Sequence, residues 1–215
     1  MANSPSERIV RFGKPLVFLL CLTPLGVLAY SVLIGQIGPN PVEAVTHFTG
    51  EWALRLLLIT LAVTPLRRLT GRVWLMRFRR MTGLFAFFYA SLHLLTYLWL
   101  DRFFDLPGIV DDVIERPYIT LGFTAFLLMV PLAATSTRGM MRRLGRRWQA
   151  LHRAVYAIGL LSVLHFLWLV KADVTEPAVY GLVLAALLLF RVPFDRFIAA
   201  IRRGLSDPAA SLDRP

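Results

Sequence analysis

The chain has 215 residues, 57% of them hydrophobic and only 17% charged, with a mean hydropathy of +0.62 and a formal net charge of +11. A soluble domain carries about 25% charged residues, so this much apolar surface excludes a water-soluble core and points to lipid as the solvent. The lone Cys21 excludes an internal disulfide and a cysteine-built metal site.

A helix of about 20 residues crosses about 30 Å of hydrocarbon, and six such segments are predicted. The first, Pro15–Ile37, follows a short basic tail and is read as a retained anchor rather than a cleaved signal, because no small-residue cleavage site follows it. The second, Glu51–Pro65, is short and is expected to begin earlier, near Val42. It holds Arg55 inside an apolar run, four residues after Glu51. That spacing suits an i,i+4 ion pair and snorkelling, and arginine also suits a cofactor carboxylate. His47, just before it, is read as interfacial, and as a weak candidate for a partner or propionate contact.

The third span, Met81–Leu100, carries His93 on one face with Gly83, Ala86 and Ala90. These small residues leave room for a flat macrocycle or for another helix. The acidic stretch Asp101–Arg116 then reads as an exposed loop, with Asp111 and Asp112 as candidate partner contacts. The fourth span is Tyr118–Ala134. The fifth, Trp148–Val170, holds both His152 and His165, and the sixth is Pro177–Phe194. Trp52, Trp99, Trp148 and Trp168 fall near span ends, as an aromatic belt does. No convincing internal repeat, Walker loop, GxGxxG, HExxH or CxxC is present, so nucleotide-dependent chemistry would need a separate protein.

The charges segregate. Arg67, Arg68, Arg72, Arg77, Arg79 and Arg80 lie between spans two and three, and Arg138, Arg142, Arg143, Arg146 and Arg147 between spans four and five. The alternate loops are acidic. The positive-inside rule then puts both termini in the cytoplasm and explains the net charge without nucleic acid. The domain reading is a cytoplasmic tail over 1–14, a six-helix domain over 15–197 and a disordered cytoplasmic tail over 198–215.

An ionisable side chain inside a span is costly and marks function. Imidazole suits zinc and haem iron alike. Zinc would want three or four ligands together, whereas His152 and His165 stand thirteen residues apart, about 20 Å along a helix. Depth selects the pair. His93 is eight residues short of Asp101 and His165 six short of Lys171, about 12 and 9 Å along parallel axes. The two are therefore level and able to sandwich one haem, whereas His152 lies near the arginine-rich face. On a straight helix, thirteen residues also turn His152 roughly 220° away from His165.

The stretches "HFTGEWALRLLLITLAVTPLR", "RRMTGLFAFFYASLHLLTYLWLD" and "RRLGRRWQALHRAVYAIGLLSVLHFLWLVKAD" closely resemble the MsrQ (YedZ) family, the haem-bearing membrane subunits of periplasmic methionine sulfoxide reductases. The wider relatives are the ferric reductase-like transmembrane domains, which carry two histidines on each of spans three and five. Here span three has Arg79 or Arg80 at the height of the second histidine. The resemblance implies an all-α membrane protein of the bacterial inner membrane, with six transmembrane helices and haem b held between helices three and five. It implies electron transfer from the quinone pool or a flavin reductase to a periplasmic molybdopterin-dependent partner, and a link to FMN. His93 and His165 are then the axial ligands and Arg55 a propionate contact. His152 serves either a second haem or an electron-entry site where Arg77, Arg79, Arg80, Arg146 and Arg147 hold a flavin phosphate or an anionic semiquinone. A ferric reductase-like metal reductase, and a small transporter with a histidine proton relay, are the alternatives.

Overall fold

The computed structural model describes residues 5–170 and 173–191, and every regular element in them is helical. Five helical segments are long and apolar enough to cross a membrane: Glu7–Leu33, Pro41–Thr70, Val73–Asp101, Pro117–Ala134 and Arg146–Leu169. The sixth expected span is the shorter apolar helix Thr175–Leu189. Its expected end at Phe194, the 198–215 tail and Lys171 lie outside the described residues.

α1 (Pro5–Leu33) starts well before the expected Pro15, so the basic residues Arg8, Arg11 and Lys14 belong to the helix. α2 (Pro41–Thr70) confirms the early start of the second span. Its boundaries are written in the sequence. The Asn40 side chain accepts from the Glu43 N–H, Pro41 fills the first turn, and Gly71 closes the end in the left-handed region at φ 68°.

α3 (Met76–Thr96) follows a single 3₁₀ turn, Val73–Leu75, and ends in a π-helical turn, Tyr97–Asp101. Phe103 and Phe104, at φ 47° and 59°, then reverse the chain. The expected acidic loop is therefore largely a helix, α4 (Leu106–Glu115). Its amphipathic sequence explains the difference. Ile109 and Val113 face a cavity, while Leu106, Val110 and Ile114 stay exposed.

α5 (Pro117–Ala134) matches the fourth span. After α6 (Arg138–Leu144) the fifth span is broken into α7 (Arg146–Leu151) and α8 (Ala154–Leu169), which corrects the straight helix assumed from the sequence. Around the break the N–H groups of Arg153, Val155 and Tyr156 bond three residues back rather than four. His152 folds onto Trp148, with ring centres 3.8 Å apart, and its Nδ1 meets the Trp148 carbonyl at 3.1 Å. α9 (Thr175–Leu189) completes the described chain.

α2 packs along α3, and α5 along α8. Leu57, Leu61, Ala86, Tyr89, Ile158 and Leu184 are central to the core they share. The Thr60 and Thr82 hydroxyls bond across α2 and α3 at 2.9 Å, which satisfies both in an apolar setting.

Candidate functional site

A cavity of about 280 Å³ lies between α2, α3, α5 and α8, at the end where α4 crosses. Its walls are mostly apolar, with Leu54, Leu57, Phe126, Met129 and Phe166 among them. His93 from α3 and His165 from α8 both face it, with ring centres 6.1 Å apart and planes inclined at 76°. The level depth expected from the sequence is thus realised as direct opposition of the two rings.

Each imidazole is held by the partner helix of its own pair. His93 Nδ1 donates to the Thr46 carbonyl of α2 at 2.8 Å, and His165 Nδ1 donates to the Tyr118 carbonyl of α5 at 2.6 Å. This fixes the tautomer and leaves Nε2 as the free lone pair in both rings. One turn past each carbonyl stands a glycine, Gly50 or Gly122, and the ring lies against it. A shift of 72 residues carries Thr46, Gly50 and His93 onto Tyr118, Gly122 and His165. The two helix pairs therefore repeat one local design. The sequence hides this because the repeated geometry uses a backbone carbonyl and a hydrogen in place of a side chain.

A metal–imidazole bond of about 2 Å on each side, plus about 1 Å from nitrogen to ring centre, separates two axial imidazoles by about 6 Å between centres. The observed spacing fits that value. Among the described residues no group of three or more His, Cys, Asp or Glu could hold a metal ion by itself. Two free imidazole nitrogens across an apolar slot suit an iron whose other ligands come from a macrocycle. The residues present thus fit a bis-imidazole haem.

The small-residue face of α3 divides. Ala90 lines the cavity, but Ala86 is fully buried in the core and a Cβ on Gly83 would meet Thr60 at 3.4 Å. Gly83 therefore serves helix packing, and the room for the rings comes from glycines on α2 and α5. Arg55 bonds Glu51 at 2.7 Å and the Tyr180 hydroxyl at 2.8 Å, and its guanidinium lies 5.2 Å from the Trp52 ring. The expected ion pair is present, and the cavity-facing member is Glu51. His47 stands in the second turn of α2, on the cavity rim.

Arg116 also lines the cavity, and the sequence did not single it out. Its signal was its place immediately before Pro117, at a span start. It pairs at 3.2 Å with Asp112, which also pairs with Arg102 and accepts from the Tyr97 hydroxyl at 2.7 Å. Asp112 is only 5% exposed. This corrects its reading as a surface docking charge, because its carboxylate is consumed in tying α4 to the end of α3. Asp111 remains exposed.

At the arginine-rich end, Arg77, Arg80, Arg146 and Arg147 are exposed and Arg79 is half-buried. His152 is half-buried, and besides the Trp148 carbonyl the Leu132 carbonyl lies close enough to act on its ring. Arg79 is close enough to His152 and to Arg191 to repel both. Arg191 lies over the Tyr156 ring at 5.0 Å and donates to the Leu61 carbonyl at 2.6 Å. In sequence, the 72-residue shift that relates the two ring cradles pairs Arg80 with His152. No second imidazole stands there, since the other three histidines occupy the cavity end.

Residues 49–163 match the family described as "Ferric reductase like transmembrane component". The chain is 51% identical over 195 residues, 89% of each chain, to the protein-methionine-sulfoxide reductase heme-binding subunit MsrQ of Herminiimonas arsenicoxydans. It is 62% identical over 156 residues to the MsrQ of Xanthomonas campestris pv. campestris, covering 73% of this chain and 72% of that one. With the MsrQ of Bordetella pertussis it shares 55% identity over 181 residues, 83% of this chain and 88% of that one.

Proposed function

This chain belongs to the MsrQ family of ferric reductase-like transmembrane proteins, and from that premise we propose that it is the haem-binding membrane subunit of a protein-methionine-sulfoxide reductase, carrying electrons across the bilayer to a periplasmic catalytic partner. The observation that carries this reading is the opposition of His93 and His165 at 6.1 Å, each with Nδ1 engaged and Nε2 free. Haem b bound there would supply a one-electron carrier.

The chain's own residues do the rest. His93 and His165 would hold the iron, and the Thr46 and Tyr118 carbonyls orient their rings through Nδ1. The mostly apolar walls would keep water from a bound haem. Arg116 and His47 at the rim offer cationic or hydrogen-bonding contact to a carboxylate edge, a role that Arg55, already bonded to Glu51 and Tyr180, supports from behind.

The segregated arginines support six spans with both termini on the cytoplasmic side of the inner membrane. Electrons then enter at the arginine-rich end, from the quinone pool or a flavin reductase. His152, with Arg77, Arg79, Arg80, Arg146 and Arg147, forms that entry site, where guanidinium groups suit the phosphate of FMN or a reduced quinone.

The test is spectroscopic. Purified protein grown with ample haem is expected to be red, with a reduced-minus-oxidised spectrum of low-spin haem b. His93→Ala and His165→Ala are each expected to abolish that spectrum. A colourless folded protein, or either variant with an unaltered bis-histidine spectrum, would overturn the reading.

A further inference from the structure

We propose that Gly50 and Gly122 are positioning residues that set the two axial imidazole planes near perpendicular, and so fix the electronic state of the iron they hold. The proposal rests on the haem-binding reading above. A Cβ on Gly50 would stand 2.9 Å from both Cε1 and Nδ1 of His93. On Gly122 it would stand 2.8 Å from Nδ1 and 2.9 Å from Cε1 of His165. No side chain tolerates such an approach, so each ring reaches its place only because the facing residue is glycine.

Two constraints then act on each ring. The hydrogen bond to Thr46 or Tyr118 fixes the direction of Nδ1, and the bare backbone of Gly50 or Gly122 fixes how far the ring can roll about its Cβ–Cγ bond. A side chain's terminal torsion of this kind is otherwise broad. The same trio acts in both helix pairs, and the planes so fixed stand 76° apart.

That angle has an electronic consequence. In low-spin ferric haem each imidazole π orbital overlaps one of the iron's two perpendicular dπ orbitals. Parallel planes both act on one dπ orbital and split the pair, whereas perpendicular planes act on both about equally and leave them nearly degenerate. Near-degeneracy preserves orbital angular momentum. The frozen ferric protein then gives a highly anisotropic resonance with one prominent low-field feature, in place of the three-feature rhombic signal of parallel ligands.

The experiment uses the full chain in detergent, with haem quantified by its pyridine complex and the ferric state examined by low-temperature electron paramagnetic resonance. Wild type is expected to show the highly anisotropic signal. Gly50→Ala and Gly122→Ala are each expected to lose it. Gly159→Ala is the packing control, because its Cβ would meet only Leu184 and Leu61 methyls, at 3.1 and 3.6 Å. It is expected to keep the wild-type line shape.

Should an alanine variant lose low-spin haem altogether, free imidazole is added to the corresponding Gly50→Ala/His93→Gly or Gly122→Ala/His165→Gly double variant. Recovery of the low-spin spectrum supports the proposal, since an untethered ring can tilt away from the new methyl. Failure to recover overturns it. A rhombic wild-type signal, or alanine variants with the wild-type line shape, would also overturn it while leaving haem binding intact. Wild type without haem would instead remove the function on which it rests.

Discussion

Asp112 shows how far a single buried charge departs from what its neighbours in sequence suggest. In "DLPGIVDDVIE" it looks like one more acid in an acidic loop. In the fold it is 5% exposed and serves three donors: Arg102, Arg116 and the Tyr97 hydroxyl. Removing one partner of a buried ion pair costs on the order of 3 kcal/mol, because the remaining charges stay unpaired. Here Arg102 and Arg116 keep 26% and 50% side-chain exposure, so solvent screening lowers the expected cost of Asp112→Asn to about 1–2 kcal/mol. A thermal melt of the haem-loaded protein in detergent should show that loss, and Asp111→Asn, altering an exposed residue, should leave the midpoint unchanged. Equal effects from the two substitutions would mean that the outer network does not hold α4. The sequence could not separate these adjacent acids, because only the return of α4 over the cavity decides which of them turns inward.

Helices were the legible scale. Apolar length located five spanning segments, and Asn40–Pro41 and Gly71 marked the ends of α2. Depth counting from Asp101 and Lys171 found the opposed histidines, since two helices running in one direction share a common origin at the membrane face. What escaped were features made by the backbone. The break at His152, the π-helical end of α3 and the glycine cradles leave no pattern of hydrophobicity. Tyr89 is another case. Fully buried on α3, it sends its hydroxyl into α1, donating to the Cys21 carbonyl at 2.9 Å and accepting from the Leu25 N–H at 3.1 Å. The insertion falls beside Pro24, which has no N–H for its own turn of helix. Tyr89→Phe would strip both backbone groups of this partner in an apolar setting, at a cost of about 1–3 kcal/mol. The expected result is a lower melting midpoint with the haem spectrum unchanged, as Tyr89 does not line the cavity. An unchanged midpoint would show that α1 closes the gap with its own i→i−4 bond.

Across the whole molecule the two helix pairs are related by one shift, yet they are not equivalent, and the proposed electron-entry site rests on the difference. At the α4 end the shift pairs histidine with histidine; at the arginine-rich end it pairs Arg80 with His152 in sequence. A second haem at that depth would therefore lack a second imidazole, whereas an arginine-rich helix end with Arg79 near His152 suits an anionic redox donor. His152 itself is held in place: Nδ1 is engaged by the Trp148 carbonyl, and the Leu132 carbonyl and the Arg79 guanidinium lie close enough to act on the ring. His152→Ala tests the assignment, with haem content and the rate of reduction by quinol or reduced flavin measured on the same preparation. The outer low-spin spectrum should survive in full, since His93 and His165 remain opposed, while reduction by the donor should slow by 10-fold or more, about 1.4 kcal/mol of barrier. Loss of half the haem would place a second haem at His152 after all. Unchanged reduction would return this residue to packing against Trp148 and move the entry site to the arginines alone.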